Sequence, residues 1–312
     1  MLVKVRWLLM LLPFALWGTA MAAMKPLLQE AGPLTLAWMR LLPAGLVLLA
    51  GARLWRGSSG VDRRDWGWLL LFTLVDATAF QSLLARGLVG TGAGLGSVLI
   101  DSQPLLVALL ARSLFGEAIN PVGWLGLLIG LLGILCLGLP APLLNHWWLM
   151  GPKVLDVQAW SHGELWMLAA ALAMALGTVI SRFACRHSDP VAVTGWHMVL
   201  GGLPLLAGSA LVSQPLVPAW TPVEWGLMAY AALLGSALAY GLFFWFANHG
   251  DLTSFTSLTF LTPVFALLCG VVWLQEQLQP LQWVGAVLAL VSVLLINRRS
   301  LLWQPVQAEL VS

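Results

Sequence analysis

Apolar residues run along this chain in continuous blocks, parted by short breaks rich in Gly, Pro and charge. The blocks predict ten helices, over residues 7–24, 33–52, 66–88, 92–115, 121–139, 164–183, 190–212, 225–247, 252–274 and 281–296. A helix rises 1.5 Å per residue, so about 20 apolar residues cross the roughly 30 Å hydrocarbon core of a bilayer. The blocks are continuous rather than alternating, which excludes a barrel and leaves helices as the spanning form. One break is long, residues 140–163, and it divides the chain into two halves.

The halves repeat. SVLIDSQPLLVALLARSLFGEAINPVGW, from Ser97 to Trp124, recurs as TSLTFLTPVFALLCGVVWLQEQLQPLQW from Thr256 to Trp283. Pro104 falls on Pro263, Glu117 on Glu276, Pro121 on Pro280, Trp124 on Trp283 and Gly126 on Gly285, each pair 159 positions apart. Leu matching Leu would mean little in so apolar a chain, whereas Glu and Pro are scarce here. Trp17-Gly18-Thr19 recurs in part as Leu176-Gly177-Thr178, and Trp66-Gly67 as Trp225-Gly226, at that same offset. Helices 2 and 7 match without a gap at an offset of 157, which sets Arg40 on His197. The expected division is a first repeat over 1–140, a linker over 141–163, a second repeat over 164–299 and a tail over 300–312.

Composition settles the class. Hydrophobic residues make up 60% of the chain and charged ones 9%, against about a quarter charged in soluble domains. Hydrocarbon is therefore the solvent for much of the surface, and the fold class is an all-α integral membrane protein. A net charge of +2 gives no reason to expect nucleic acid. Cys136, Cys185 and Cys269 stand apart, with no spacing of a zinc site or disulfide framework. No cofactor or metal motif is present.

Lys and Arg set the orientation. With the N-terminus inside, the inner segments hold Lys4, Arg6, Arg53, Arg56, Arg63, Arg64, Arg112, Arg182, Arg186, Arg298 and Arg299; the outer ones hold Lys25, Arg86 and Lys153. Both termini are expected in the cytoplasm, with the chain in the inner (plasma) membrane. The first run also fits a signal peptide cleaved near Ala20-Met21-Ala22, but its share in the repeat marks it as a retained helix. Five helices per half is an odd number, so the second half enters the membrane from the opposite side. The fold expected is ten transmembrane helices in two inverted five-helix repeats, an arrangement that suits alternating access to a midplane site.

Trp17-Gly18, the stretch from Pro33-Leu34-Thr35 through Arg40, and the segments Ser97–Gly126 and Ser257–Gly285 together resemble the drug/metabolite transporter superfamily, in its ten-helix EamA-type branch. The resemblance covers Trp17 to Arg299 and implies a secondary transporter of small metabolites, without fixing the substrate. His197, standing where helix 2 has Arg40, leaves no Arg role to carry over to helix 7.

Ionisable groups at membrane depth are functional candidates. At 1.5 Å per residue, Asp76 in helix 3 and Asp101 in helix 4 fall near the midplane, with Arg40 and Arg86 nearer the outer surface. Their counterparts in the second half are Gly235 for Asp76, Phe260 for Asp101 and Trp245 for Arg86, so the chemistry is less symmetric than the scaffold. Asp76 or Asp101 is read as a partner for a substrate ammonium or as a proton carrier; an Asp–Arg pair that only fixes helix register is the competing reading. Arg40 suits a substrate carboxylate or a tie to backbone carbonyls. Tyr240 and Phe244 share a helix face by their spacing, continued by Asn248, and Trp17 is a candidate cavity wall. Pro104 and Pro263 are expected to kink helices 4 and 9. Glu117 and Glu276 read as caps at the repeat boundary, His197 as a hydrogen-bonded packing residue, and Gly90, Gly92, Gly94 and Gly96 as a close-packing seam.

The expected function is transport of a small polar metabolite, an amino acid or related amphipathic solute, most concretely its export. The partners are that solute and the bilayer, with proton coupling open and a monomer or homodimer as the assembly. A membrane-embedded enzyme acting on a lipid or isoprenoid is the principal rival, but no His/Glu metal motif appears. A channel would need rings of like residues, which Asp76 and Asp101, lacking counterparts, do not supply.

Overall fold

The computed structural model describes residues 2–24, 26–90, 99–138, 162–274 and 279–303. Among them every regular element is helical. Helix 1 covers Leu2–Met24, helix 2 Pro33–Arg56, helix 5 Pro121–Gly138, helix 6 His162–Ala184, helix 7 Pro190–Leu211 and helix 10 Pro280–Asn297. Seven helices are long and apolar enough to cross a membrane, and shorter apolar helices lie at Val5–Ala20 and Pro121–Leu137. Helix 4 enters the described residues at Leu99, which completes the ten. The Gly run at 92–96 and Glu276 lie outside the described residues, as does the expected linker at 141–163 except for His162 and Gly163, which begin helix 6.

Four helices are interrupted, in two matched pairs. Helix 3 begins as Trp66–Phe72, widens into a π-helical stretch at Thr73–Phe80 and resumes as Gln81–Gly90. Helix 8, Pro222–Ala247, carries its own π-helical stretch at Leu233–Leu238, the counterpart region of the second half. Helix 4 turns at Ser102 and restarts as Gln103–Phe115. Helix 9 opens as Leu252–Thr256, tightens to a 3-10 turn at Ser257–Leu261 and restarts as Thr262–Leu274. Pro104 and Pro263 are therefore in the first turn of a restarted helix rather than at a kink in a continuous one. There the missing N–H leaves no hydrogen bond unmade.

Packing follows the repeat. Helix 2 lies along helix 7 and helix 5 along helix 10; helix 6 packs on helices 3 and 4 as helix 1 packs on helices 8 and 9. A Cβ on Gly45 would lie 2.8 Å from Val199, one on Gly195 2.8 Å from Leu49, and one on Gly202 2.7 Å from Leu42. Numbers rise along helix 2 as they fall along helix 7, so these counterparts run antiparallel. Gly133 meets the Gly285 carbonyl while Gly126 meets Ile296, the same pattern in helices 5 and 10. Ser292 Oγ also donates to the Gly126 carbonyl at 2.6 Å. Counterpart helices that cross antiparallel make the two repeats inverted.

The bundle's outside is apolar, with Leu125, Leu128 and Leu132 of helix 5 and Val284, Val287 and Leu294 of helix 10 all exposed. Exposed apolar surface on this scale marks a protein solvated by lipid.

One end of the bundle is polar, and there the halves are tied together. Arg56 pairs with Asp189. The buried Asp65 accepts from the His187 backbone N–H at 2.9 Å and from Ser188 Oγ at 2.7 Å. Gly116, at φ 66, ends helix 4 in the left-handed region, and the next residue, Glu117, reaches the start of helix 9. Its carboxylate accepts from the Leu252 and Thr253 backbone N–H groups at 2.8 and 3.1 Å and from Thr253 Oγ1 at 2.8 Å. Arg182 stands 3.5 Å away and also donates to the Ala247 carbonyl. Arg299 pairs with Asp251 at 2.7 Å. Outside the membrane-spanning stretches, burial pushes the nearby Cys185 thiol up from its ordinary value.

Candidate functional site

The π-helical stretches of helices 3 and 8 flank the centre of the bundle. A π turn widens the helix and leaves backbone and side chains out of α register, and such turns often accompany functional sites. Asp76 lies in the first stretch and Ser236 in the second. His197 of helix 7 sets Nε2 2.9 Å from Asp76 Oδ2, and Arg40 of helix 2 donates from Nε to Ser236 Oγ at 3.2 Å. Arg40 and His197 are repeat counterparts, so one scaffold contact is filled by an imidazole and a carboxylate on one side, and by a guanidinium and a hydroxyl on the other.

Tyr240 and Gln81, 159 positions apart, meet between them, with Gln81 Nε2 3.3 Å from the Tyr240 hydroxyl. Tyr240 also neighbours Arg40. Trp17 from helix 1 packs its ring 5.0 Å from those of Tyr240 and Phe243, and its indole N–H is buried without a partner. Phe244 lies one turn on, edge-on to the His197 ring at 5.6 Å, while Phe72 stacks on that ring at 4.0 Å.

Asp101 sits at the break in helix 4, 6% exposed. Among the described residues no hydrogen bond or ion pair reaches its carboxyl. Two residues on, Gln103 donates to Thr178 Oγ1 at 3.4 Å and leaves its own carbonyl oxygen buried and unpartnered. Its counterpart Thr262, at the restart of helix 9, has a buried hydroxyl without a partner, as does Thr259 one turn earlier. Gly18 admits helix 1 to this place, since a Cβ there would lie 2.6 Å from the Thr262 carbonyl. Buried polar atoms are nearly always satisfied, so orphaned ones at both helix breaks mark a region shaped for something other than packing.

The sequence candidates thus separate. Trp17, Arg40, Asp76 and Tyr240 come together around the π stretches, with Phe244 joined through His197. Asp101 stands at the helix 4 break. Asn248 belongs to the polar end, where its amide donates to the Phe244 carbonyl at 2.7 Å and closes helix 8. Arg86 is exposed over the Trp166 ring at 5.6 Å rather than above the acids. His197, expected from sequence as a hydrogen-bonded packing residue, is buried and stacked on Phe72, and its partner, which the sequence did not name, is Asp76. Gln81, Ser236 and Gln103 are additions; Gln81 and Gln103 were findable as polar residues whose counterparts, Tyr240 and Thr262, are also polar.

Comparison with known proteins gives a consistent result. The family model described as the EamA-like transporter family matches residues 6–139 and 161–298. The chain is 51% identical over 300 residues to the uncharacterized transporter sll0355 of Synechocystis sp., spanning 94% of this chain and 89% of that one. It is 45% identical over 298 residues to the chloroplastic WAT1-related protein At3g02690 of Arabidopsis thaliana, covering 93% and 69% of the two chains. A solved crystal structure, 19% identical, superposes with a TM-score of 0.77 over 94% of this chain and 97% of that one, a likeness of fold.

Proposed function

The chain belongs to the EamA-like transporter family, and we propose that it is a secondary carrier of a small amphipathic zwitterion, an amino acid or close relative, working by alternating access. The carrying observation is Asp101. A carboxylate buried without a partner is among the most unfavourable things a fold can hold. Where this protein uses buried acids for structure it pairs them, as Asp65 is paired by His187 and Ser188. Asp101, which none of the described residues pairs, is left for a cation that comes and goes, which a substrate ammonium supplies.

Arg40 gives the opposite charge. It is buried, and the partners it has, Ser236 and Tyr240, are uncharged groups. A guanidinium so placed offers a planar fork to a carboxylate. Trp17, Tyr240 and Phe243 supply aromatic surface for the apolar part of the solute. The orphaned oxygens of Gln103 and Thr262 add hydrogen-bonding capacity at the two helix breaks. Inverted repeats let the halves exchange conformations around such a site. The arginine-rich polar end faces the cytoplasm by the positive-inside rule, in an inner (plasma) membrane, and the physiological direction is export.

The test is counterflow in proteoliposomes loaded with a panel of amino acids and related metabolites. Saturable uptake of labelled solute, driven only by unlabelled solute inside, supports the reading. Flux that never saturates points to a channel, and conversion of a lipid substrate to product points to an enzyme; either overturns it.

A further inference from the structure

His197 has both ring nitrogens aimed at oxygens that accept hydrogen bonds. Nε2 is 2.9 Å from Asp76 Oδ2 and Nδ1 is 3.2 Å from the Thr194 carbonyl. Neutral imidazole carries one N–H. If it sits on Nε2, the lone pair of Nδ1 faces a carbonyl; if on Nδ1, the lone pair of Nε2 faces a carboxylate. Either arrangement sets two acceptors against each other in a site where His197 is 1% and Asp76 2% exposed. One more proton removes the conflict. An imidazolium then donates to both oxygens, or a carboxylic acid donates to Nε2 while Nδ1–H donates to Thr194. The two descriptions differ only in where that proton rests, and both leave the pair neutral overall.

Among the described residues no other charge does this task. Gly177 of helix 6 lies against Asp76, so close that a Cβ would overlap the carboxylate. Helix 8 presents Tyr240 and Phe244, the phenol lying near enough to Asp76 to feel its charge. Helix 2, packed along helix 7, has Arg40, whose side chain reaches Ser236 and Tyr240 rather than Asp76. Phe72 stacks on the imidazole and Phe244 meets it edge-on, and neither carries a charge. The groups that can hold the proton are Asp76 and His197.

We propose that the Asp76–His197 pair is the proton-binding site that couples solute movement to proton flux, and that the conformation seen is its loaded form. This rests on the carrier reading above. The pair bridges helices 3 and 7, and Gly201 of helix 7 packs directly on Ala77, next to Asp76. Losing the proton restores the clash of acceptors, so the unloaded pair favours separation of helix 7 from helix 3. Protonation closes this contact and deprotonation opens it, which is what ties the proton to the conformational cycle. One proton enters the pair from water on one side of the membrane and leaves to water on the other, in exchange for one solute molecule.

The experiment measures protons and solute together, in proteoliposomes holding the full-length protein and a pH dye inside, with the solute found by counterflow. Wild type is expected to move one proton per solute molecule and to accumulate solute against its gradient when a pH gradient is imposed. Asp76→Asn and His197→Gln are expected to bring the proton-to-solute ratio toward zero, whatever exchange rate they keep, and Asp76→Glu to restore it. Net wild-type solute flux, measured with no solute on the opposite side and with no accompanying proton movement, overturns the proposal and leaves the carrier reading standing. So does an unchanged ratio in His197→Gln. Absence of wild-type counterflow for every solute sinks the carrier reading, and the proposal with it.

Discussion

Gln81 and Tyr240 are each other's counterparts in the two repeats, and the amide of the one lies 3.3 Å from the hydroxyl of the other. Two equivalent residues can touch only where the axis relating the halves passes between them. The contact therefore marks the centre about which the repeats exchange. It lies beside the two π-helical stretches, with Arg40 approaching from helix 2 and His197 from helix 7. Symmetry of the backbone at this point is combined with different side chains on its two sides.

Removing either member of that contact should slow transport by a similar factor. A neutral hydrogen bond in a buried site contributes about 0.5–1.5 kcal/mol, so Gln81→Leu and Tyr240→Phe should each lower the counterflow rate about two- to tenfold. The double variant should be no slower than the worse single one. Rates that multiply instead would show that the two side chains act separately.

Asp101→Asn should preserve the fold and raise the half-saturation concentration at least tenfold. Truncating one partner of a buried charge pair costs about 2–5 kcal/mol, and tenfold corresponds to about 1.4 kcal/mol. N-acetylated analogues, which lack the ammonium, should be poor substrates of the wild type. An unchanged half-saturation in Asp101→Asn would assign the acid to some other task.

Glu117 holds the start of helix 9 against the turn after helix 4, closing the polar end. Glu117→Ala leaves two backbone N–H groups and Arg182 without their acceptor, a loss of about 1–3 kcal/mol. Cys185 reports on this end, because burial, with help from Asp65, pushes its thiol up from the ordinary value, and the thiolate is the nucleophile. In a background lacking Cys136 and Cys269, maleimide labelling of Cys185 should speed up several-fold in Glu117→Ala. Equal rates would show that the polar end stays closed without Glu117.

The seam between helices 5 and 10 depends on Gly133, where a Cβ would lie 2.9 Å from the Ala289 backbone nitrogen. Gly133→Leu should destabilise the protein by about 1–3 kcal/mol through overpacking, seen as a lower melting temperature in detergent. Gly226→Ala, on helix 8 with open space around it, is the control and should melt like the wild type.

Much of the architecture was legible because a bilayer makes severe demands. Hydrocarbon tolerates continuous apolar helices and little else, so the ten blocks stood out, and Glu, Pro and Trp recurring at one spacing revealed the offset of the repeat. The inverted packing of helix 2 on helix 7 follows from that offset and an odd helix count. The centre was only half legible. Asp76, Asp101 and Arg40 stood out as charges in apolar surroundings, whereas the partners of Asp76 and Arg40 depend on which helix faces each. A π turn at Thr73–Phe80 leaves no compositional mark, yet it sets where Asp76 points. Pro104 and Pro263 announced a disturbance, but not that helices 4 and 9 stop and restart there. Asn248 has the right spacing to continue the face of Tyr240 and Phe244, but helix 8 ends first.

Exchange kinetics bear most directly on the claim that a single buried site is offered to each side in turn. In proteoliposomes, the initial rate of labelled solute entry should saturate with concentration and rise when unlabelled solute is present on the opposite side, and Asp101→Asn should lose both properties at those concentrations. An entry rate that stays proportional to concentration and indifferent to solute across the membrane would contradict it.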